Sequence, residues 1–203
     1  MKEFVPRFWE EHCEAERLAR STLRGYEQML RVHILPMFGE CKLSEITNND
    51  VQGLKSRLAQ HSKKTVNNVL SLLSCVLSRA KEWGYLTEMP CKLSRLKEDR
   101  KEYEYFDFNV YGQLKDTARS IGTNHLVLLL LGGDAGLRKG EIRALQWSNV
   151  DFKRGTIHVC ESLWHGELKP PKGRKFRTVD MTNDLKSALQ SHGHLKGPTV
   201  LCN

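Results

Sequence analysis

The 203-residue sequence predicts a mainly α-helical protein with a small antiparallel β-sheet, organised in two domains. Three observations support this prediction. Apolar residues recur at helical spacing through most of the first half. A charged stretch that lacks periodicity then interrupts the chain. Two β-branched runs, separated by a proline-rich turn, follow after residue 155. We therefore expect a helical domain at 1–95, a linker at 96–106 and a second domain at 107–203.

The first domain is predicted to hold four helices. Ser21 or Thr22 is expected to cap the second helix, which should end at Pro36 because proline cannot continue a helix. Thr47 or Asn48 is expected to cap the third. The fourth has a broad apolar stripe, and short connections between four helices indicate a small bundle. The predicted helices cover 3–16, 22–34, 48–61 and 63–83.

The second domain combines helical and strand patterns. The runs TIHVC (156–160) and FRTVDM (176–181) are predicted to pair as antiparallel strands, with a turn at 170–173 between them. Thr182 or Asn183 is expected to cap the last helix. The predicted helices cover 108–121, 124–132, a segment after Arg138, and 184–191.

Composition narrows the function classes. No apolar run approaches the roughly 18 residues of a membrane span, and the first residues lack the apolar centre of a secretion signal, so we expect a cytoplasmic protein without a membrane partner. The net charge is +8 and both halves are basic, which favours a polyanion partner, most simply double-stranded DNA. A basic protein without a nucleic-acid role is the alternative.

Arg138 is the first candidate for a chemical role. It stands in GDAGLRKGEIRALQW, where Gly136 permits a sharp turn and a new helix begins at Lys139. A guanidinium beside the exposed N–H groups of a helix start suits a phosphate group. Glu141, one turn on, is placed to orient Arg138 or a neighbouring amide. The alternative is a surface arginine in an ordinary salt bridge.

The turn KPPKGRKFRTV supplies the second candidate, Lys172. Lysines at such turns are usually solvated and inert. This turn, however, gathers enough cations to reach a DNA backbone, and a lysine among cations can serve as a proton donor. The cations are Lys169, Lys172, Arg174, Lys175 and Arg177.

A third group of candidates consists of donors suited to phosphates and base edges. They gather at the start of the fourth helix, and cations of the second helix are expected to extend them into one basic surface. A solvated polar face is the alternative. The candidates are Lys63, Lys64, Thr65, Asn67 and Asn68 of the fourth helix and Arg20, Thr22 and Arg24 of the second.

The order of these pieces resembles the tyrosine recombinases, or phage integrase family. The first domain ends in TVNNVLSLLSCVLSRAKEWGYLTEMP, and GLRKGEIRALQWSNVDFKRGTIHV and PPKGRKFRTVDMT follow in the second. The resemblance spans nearly the whole chain, and the GLRKGEI stretch is its specific part. It implies a core-binding, SAM-like helical bundle joined to part of an α+β catalytic domain.

The resemblance also implies a function: site-specific cutting and rejoining of DNA through a 3′-phosphotyrosyl intermediate, without a cofactor. Arg138 matches the family's first catalytic arginine, Lys172 the lysine of its β-hairpin, and Glu141 a supporting acidic position. The whole enzyme is expected to act as a homotetramer on DNA.

The sequence departs from the family pattern towards its end. It contains no His-x-x-Arg element, and its five tyrosines, at 26, 85, 103, 105 and 111, all precede Arg138. We therefore expect a C-terminally truncated recombinase that binds DNA without cleaving it. The alternative is a non-catalytic DNA-binding module or regulator derived from a recombinase.

Overall fold

The chain forms two compact units, Met1–Glu102 and Tyr103–Asn203, in a computed structural model that describes residues 1–99, 102–194 and 196–201. Helices dominate both units, and the strands found in the described residues all lie in the second. The prediction of a mainly α protein with a small antiparallel sheet is confirmed. Within the described ranges, no helix has both the length and the apolar character needed to cross a lipid bilayer.

Residues 1–99 contain four helical rods. Two of them include π-helical turns, which are wider than α-helical ones. The rods are α1 (Phe4–Phe8) with a π-turn at Trp9–Glu14; α2 (Arg20–Met29), a π-turn at Leu30–Ile34 and α3 (Leu35–Phe38); α4 (Asn48–Arg57); and α5 (Lys63–Glu82).

The second rod differs from its prediction at both ends. It runs through Pro36 to Phe38, because the π-turn before the proline shifts the backbone bonding: the Leu35 N–H bonds the Leu30 carbonyl, five residues back. This offset relieves the clash that a proline ring makes with an α-helical carbonyl. The predicted cap at Ser21 or Thr22 is also wrong, since both residues lie inside α2.

The later caps follow the sequence more closely. Thr47 caps α4 by accepting the Asp50 N–H at 3.3 Å, while the Asp50 carboxylate accepts the Thr47 N–H at 2.9 Å. Ser62 caps α5 in the same way through the Thr65 N–H. The apolar stripe of α5 is buried at the centre of the first unit, as predicted.

The second unit places short strands among helices. A β-sheet of three antiparallel strands has the order β1-β2-β5, and β3 and β4 form a separate hairpin. The elements are α6 (Phe108–Ile121), α7 (Thr123–Gly133), α8 (Lys139–Ala144), β1 (Val150–Asp151), β2 (Thr156–Val159), β3 (Ser162–Trp164), β4 (Glu167–Lys169), β5 (Arg177–Asp180) and α9 (Asn183–His192).

The predicted pairing of the two β-branched runs is confirmed, with Ile157 opposite Val179. The β3–β4 hairpin was not predicted, because each of its strands has only three residues. His165 and Gly166 close it with φ of 47° and 85°, the left-handed backbone that two-residue hairpin turns require. The Thr182 side chain caps α9 by accepting the Leu185 N–H, as expected.

Packing fixes the hairpin against the helix that follows Arg138. The apolar core joins α7, β2 and α9 through buried aliphatic side chains. On α8, Gly140 approaches β3 so closely that an added Cβ would collide with Ser162 Oγ and would lie 3.1 Å from the Leu163 carbonyl oxygen. The hairpin therefore rests directly on α8, and the chain segment after the hairpin starts from a fixed position.

Candidate nucleic-acid interface

An open cleft of about 250 Å³ in the second unit is lined by four cationic side chains and one glycine. Arg138 enters it from the turn before α8. The other cations come from the connection between β4 and β5 and from the start of β5. Four positive charges around one concavity suit an anion of the size of a phosphate. The lining residues are Gly136, Arg138, Lys172, Lys175 and Arg177.

A buried carboxylate connects two of these cations. Glu141 is fully enclosed, with 1% of its side chain exposed, and it accepts two hydrogen bonds from Arg177: Nη1 to Oε1 at 3.0 Å and Nη2 to Oε2 at 2.8 Å. Arg138 adds two more, from its backbone N–H at 2.8 Å and from Nη1 at 3.0 Å. Glu141 thus contacts Arg138, the first of its two predicted alternatives, through both the side chain and the backbone, and the contact with Arg177 was not predicted.

The electrostatics of this group keep Glu141 ionised. The hydrogen bonds from Arg177 are the largest influence, and those from Arg138 add to them, so that the pKa of Glu141 falls from 4.5 to about 2 despite its burial. Glu141 in turn raises the pKa of Arg177. Arg138 remains 65% exposed. The carboxylate therefore holds the backbone N–H and one guanidinium nitrogen of Arg138, while much of the side chain stays at the surface.

One part of the predicted phosphate site needs correction. The helix after Arg138 was expected to offer its first N–H groups to an anion. It is only six residues long, and the Glu141 carboxylate accepts the Arg138 N–H at its start. A negative charge already occupies that position, so an anion in the cleft would be held by side chains.

The backbone around Lys172 is tightly constrained. Pro170 and Pro171 fix the approach, since proline restricts φ. A short 3₁₀ turn, Lys172–Arg174, follows, in which Gly173 has φ of 77° and Arg174 has φ of 53°. Arg174 therefore holds a left-handed conformation that is unfavourable for a side chain with a Cβ. The predicted turn lies where expected. Lys172 and Lys175, which precede and follow Arg174 in the sequence, both line the cleft.

The candidates in the first unit do not form one surface at a single end of the bundle. The end of the α2 rod lies beside the start of α5, because the rings of His33 and His61 are 5.4 Å apart. Arg20 starts α2, 13 residues before His33, or about 20 Å along a helix. Arg20, Thr22 and Arg24 therefore lie towards the opposite end of the bundle from Lys63 and its neighbours. The donors therefore form two groups along the bundle, and the prediction that the two groups belong to one basic surface stays a prediction.

Asn67 serves the chain itself rather than an external partner. Its side chain is buried, accepts the Leu96 N–H at 2.8 Å, and donates to the Leu96 carbonyl at 3.0 Å and to Glu98 Oε1 at 2.8 Å. Asn67 thus fastens residues 96–98 along α5, and its prediction as a DNA contact needs correction. Lys63 is exposed but pairs with Asp99 at 2.7 Å. Lys64 and Asn68 are exposed, and Thr65 contacts Ser62.

Replacing Asn67 by alanine is expected to release residues 96–98 and to lower the free energy of unfolding of the first unit by about 1 kcal/mol, because the partly buried backbone groups of Leu96 lose their partner. Hydrogen exchange of a peptide covering 92–99 measures the release. Asn68→Ala is the control, since Asn68 is adjacent and exposed. Weaker DNA binding by the Asn67 variant, with unchanged exchange at 92–99, would restore its role as a DNA contact.

Arg177 is the site residue that the sequence interpretation did not single out. It appeared only among the five cations of the turn. Alternation along β5 contains a signal that distinguishes it: Arg177 and Val179 lie on the half-buried face, whereas Thr178 and Asp180 are exposed. A cation on the inner face of a strand requires a buried counter-charge, and Glu141 provides it.

Two family models match the chain in succession. The model for the phage integrase N-terminal SAM-like domain matches residues 2–59. The model for the phage integrase family matches residues 104–194, which include every residue that lines the cleft.

Individual relatives agree with these matches. A XerC-like tyrosine recombinase of Caldanaerobacter subterraneus subsp. tengcongensis is 26% identical over an alignment of 192 residues, and the match covers 88% of this chain and 48% of that protein. The chain spans about half the length of this curated relative.

Solved structures share the fold. An integrase of the transposon Tn1549, in complex with a circular intermediate DNA, matches with a TM-score of 0.80 at 18% identity, over 94% of this chain and 63% of that one. A lambda integrase tetramer bound to a Holliday junction matches with a TM-score of 0.72 at 17% identity, over 99% of this chain and 59% of that one. The predicted fold, a SAM-like bundle joined to an α+β catalytic domain, is confirmed.

Proposed function

Because this chain belongs to the tyrosine recombinase, or phage integrase, family, we propose that it acts in site-specific DNA recombination, in which strands are cut and rejoined through a 3′-phosphotyrosyl intermediate. The observation that supports this most directly is the convergence of Arg138 and Lys172 on one cationic cleft anchored by Glu141. In this proposal residues 1–95 form the core-binding domain, 96–106 the linker and 107–203 the catalytic domain, and the protein works on DNA in the cytoplasm.

The cleft would hold the scissile phosphodiester. When a deprotonated tyrosine oxygen forms a bond to the phosphorus and the bond to the 5′ oxygen breaks, negative charge builds on the non-bridging oxygens. Arg138 stabilises that charge through fixed N–H donors, which require no reorganisation during the step. Lys172 gives its proton to the departing 5′ oxygen. Glu141 supports the role of Arg138 indirectly, because it binds Arg138 and the neighbouring Arg177 and holds both in place.

The tyrosines of this chain do not supply the nucleophile. Tyr111 donates its hydroxyl to Asp134 at 2.6 Å, and burial together with that bond raises its pKa far above the ordinary value. Burial also raises the pKa of Tyr26. Tyr85 bonds Arg7, and no tyrosine lines the cleft within the described residues. We therefore propose that these 203 residues bind duplex DNA without cleaving it.

The same observation favours a second candidate, a non-catalytic DNA-binding module or regulator derived from a recombinase. The two candidates differ in what the coding region carries after codon 203. A His-x-x-Arg element and a later tyrosine would support the enzyme, and a stop codon would support the module. For the whole enzyme we propose assembly as a homotetramer on DNA, in line with the tetramer of the lambda integrase.

Binding of the 203-residue protein to a 30-base-pair duplex tests the proposal. We expect the logarithm of the binding constant to fall linearly with the logarithm of salt concentration, with a slope of about −4.5 or steeper if at least five phosphates are contacted. No covalent adduct should form on a duplex nicked next to the cleavage position. A slope near zero, or no binding at 0.1 M salt, would refute the DNA role. A covalent adduct would refute the statement that the chain does not cleave.

A further inference from the structure

Asp134, at the end of α7, connects three segments of the second unit. Its Oδ1 accepts the Tyr111 hydroxyl of α6 at 2.6 Å, and its Oδ2 accepts the Thr182 hydroxyl at 2.6 Å. Thr182 is also the cap of α9, since it accepts the Leu185 N–H at 3.1 Å. Both bonds to Asp134 are short and end on a carboxylate, which makes them stronger than bonds between neutral groups. A single side chain therefore fixes α6, the end of α7 and the start of α9 relative to one another.

The segments joined by Asp134 carry the cations of the cleft. The turn that ends at Arg138 begins at Asp134, and it includes Gly136, whose carbonyl lies 3.4 Å from Arg177 Nη2. On the other side, β5 begins with Arg177 and leads into Thr182. Asp134 does not line the cleft. Asp134 and Glu141 therefore connect the same two segments at different points. Asp134 joins the start of the turn that leads to Arg138 to Thr182, just after β5. Glu141 binds Arg138 and Arg177 themselves.

The approach of Tyr111 to the same turn is close. A Cβ on Gly133 would lie 2.8 Å from the ring carbon Cζ of Tyr111, so the residue before Asp134 must lack a side chain for the ring to reach its place. The tyrosine therefore packs across the backbone of the turn as well as bonding Asp134. This contact restricts the turn in addition to the bond from Thr182.

We propose that Asp134 is a positioning residue for the cleft, which holds the turn bearing Arg138 in register with the strand bearing Arg177 so that both guanidinium groups serve one phosphate. This inference rests on the proposed function, in which the cleft binds a DNA phosphate. Asp134 acts through the other residues, without contact to the DNA.

The sign of the effect separates positioning from simple electrostatics. Asp134→Asn removes one negative charge from a protein that binds a polyanion, so long-range electrostatics alone would tighten DNA binding. Loss of positioning predicts the opposite. We expect Asp134→Asn to weaken binding to a 30-base-pair duplex about fivefold at 0.1 M salt and to reduce the salt slope by about 0.9, the share of one phosphate contact.

A set of variants makes the test specific. Thr182→Val removes the bond between Thr182 and Asp134 without changing charge, and it also removes the cap of α9; it should weaken binding as well. Thr182→Ser keeps the hydroxyl for both contacts and should retain wild-type binding. Asp116→Asn is the charge control, since Asp116 is exposed on α6 and forms an ion pair with Arg119, away from the cleft. In the background of Arg138→Ala, the loss caused by Asp134→Asn should disappear, because the positioned group is gone.

The outcomes are distinguishable. Binding by Asp134→Asn that equals or exceeds the wild type would overturn the inference, and so would an equal loss with and without Arg138, which would indicate general destabilisation. If Asp134→Asn does not fold, Thr182→Val and its serine counterpart decide the question. If Arg138→Ala itself leaves the salt slope unchanged, the cleft does not bind a phosphate, and the proposed function of the cleft fails together with this inference.

Discussion

Replacing Glu141 by glutamine is expected to lower the free energy of unfolding of the second unit by about 3 kcal/mol, the scale observed when one partner of a buried ion pair is removed. The glutamine side chain has the same shape but carries no charge. It would leave Arg177, which is only 32% exposed, without a counter-charge and would give it one acceptor oxygen where it now has two. The loss should be measured by hydrogen exchange of peptides from α7 and α9 in increasing urea, because these helices report on the second unit alone.

The effect of Glu141 should also depend on pH in a defined direction. The pKa of Glu141 is lowered from 4.5 to about 2 in the folded protein, so its contribution to stability is fully present above pH 4.5 and is lost as the pH falls towards 2. The difference between the wild type and Glu141→Gln should therefore be largest near pH 6 and shrink below pH 4.

Asp116→Asn is the control for the Glu141 variant. Asp116 also pairs with an arginine, but its side chain is 77% exposed, and exposed pairs contribute little. We expect a change below about 0.5 kcal/mol. Equal losses in the two variants, or a Glu141 effect that does not change between pH 6 and pH 3, would contradict the role assigned to the buried carboxylate.

Removing the cations of the β4–β5 connection is expected to have the largest effect on DNA binding. The variant with alanine at Lys172, Arg174 and Lys175 should lose affinity for duplex DNA by a factor on the order of 10² at 0.1 M salt, and its salt slope should become shallower by about 2.7, if each residue neutralises one phosphate. All three side chains are exposed, and two of them line the cleft. Folding should be little affected. Fluorescence anisotropy with a labelled duplex at four salt concentrations gives both quantities.

A second triple variant controls for net charge. Alanine at Arg119, Lys153 and Arg154 removes the same number of positive charges from exposed positions outside the cleft. Its salt slope should change by less than 1. Similar losses in the two triple variants would mean that overall charge governs binding, and the cleft would then have no special part in it.

The sequence predicted those parts of the site that depend on local patterns. The turn before α8 follows from Gly136, which has φ of 62°, and the turn at Lys172 follows from its prolines and Gly173. The predicted pairing of the two β-branched runs places the turn at Lys172 within the same domain as the turn before α8. These signals lie within about ten residues of the groups they place, and for that reason they can be recognised without coordinates.

The contacts that hold the site together are long-range and escaped prediction. The pair of Arg177 and Glu141 spans 36 residues, and the pair of Thr182 and Asp134 spans 48. The sequence offers several cations in the turn as possible partners of Glu141. The register of β5 against β2 determines that Arg177 is the one that reaches it. The prediction of Asn67 as a DNA contact was wrong for a related reason. The sequence shows Asn67 only as one of several polar residues at a helix start, whereas its hydrogen-bond partners are set by residues 96–98, which lie about 30 residues further along the chain.

The left-handed backbone of Arg174 limits how this protein can be engineered for thermal resistance. Glycine would adopt φ of 53° without strain, so a substitution chosen for stability alone would select Arg174→Gly. The same exchange would remove a cation from the segment proposed to meet DNA. At this position one substitution is expected to raise thermal stability and to lower affinity for a polyanion. A screen for stability that does not also measure DNA binding would therefore select variants with weaker DNA binding.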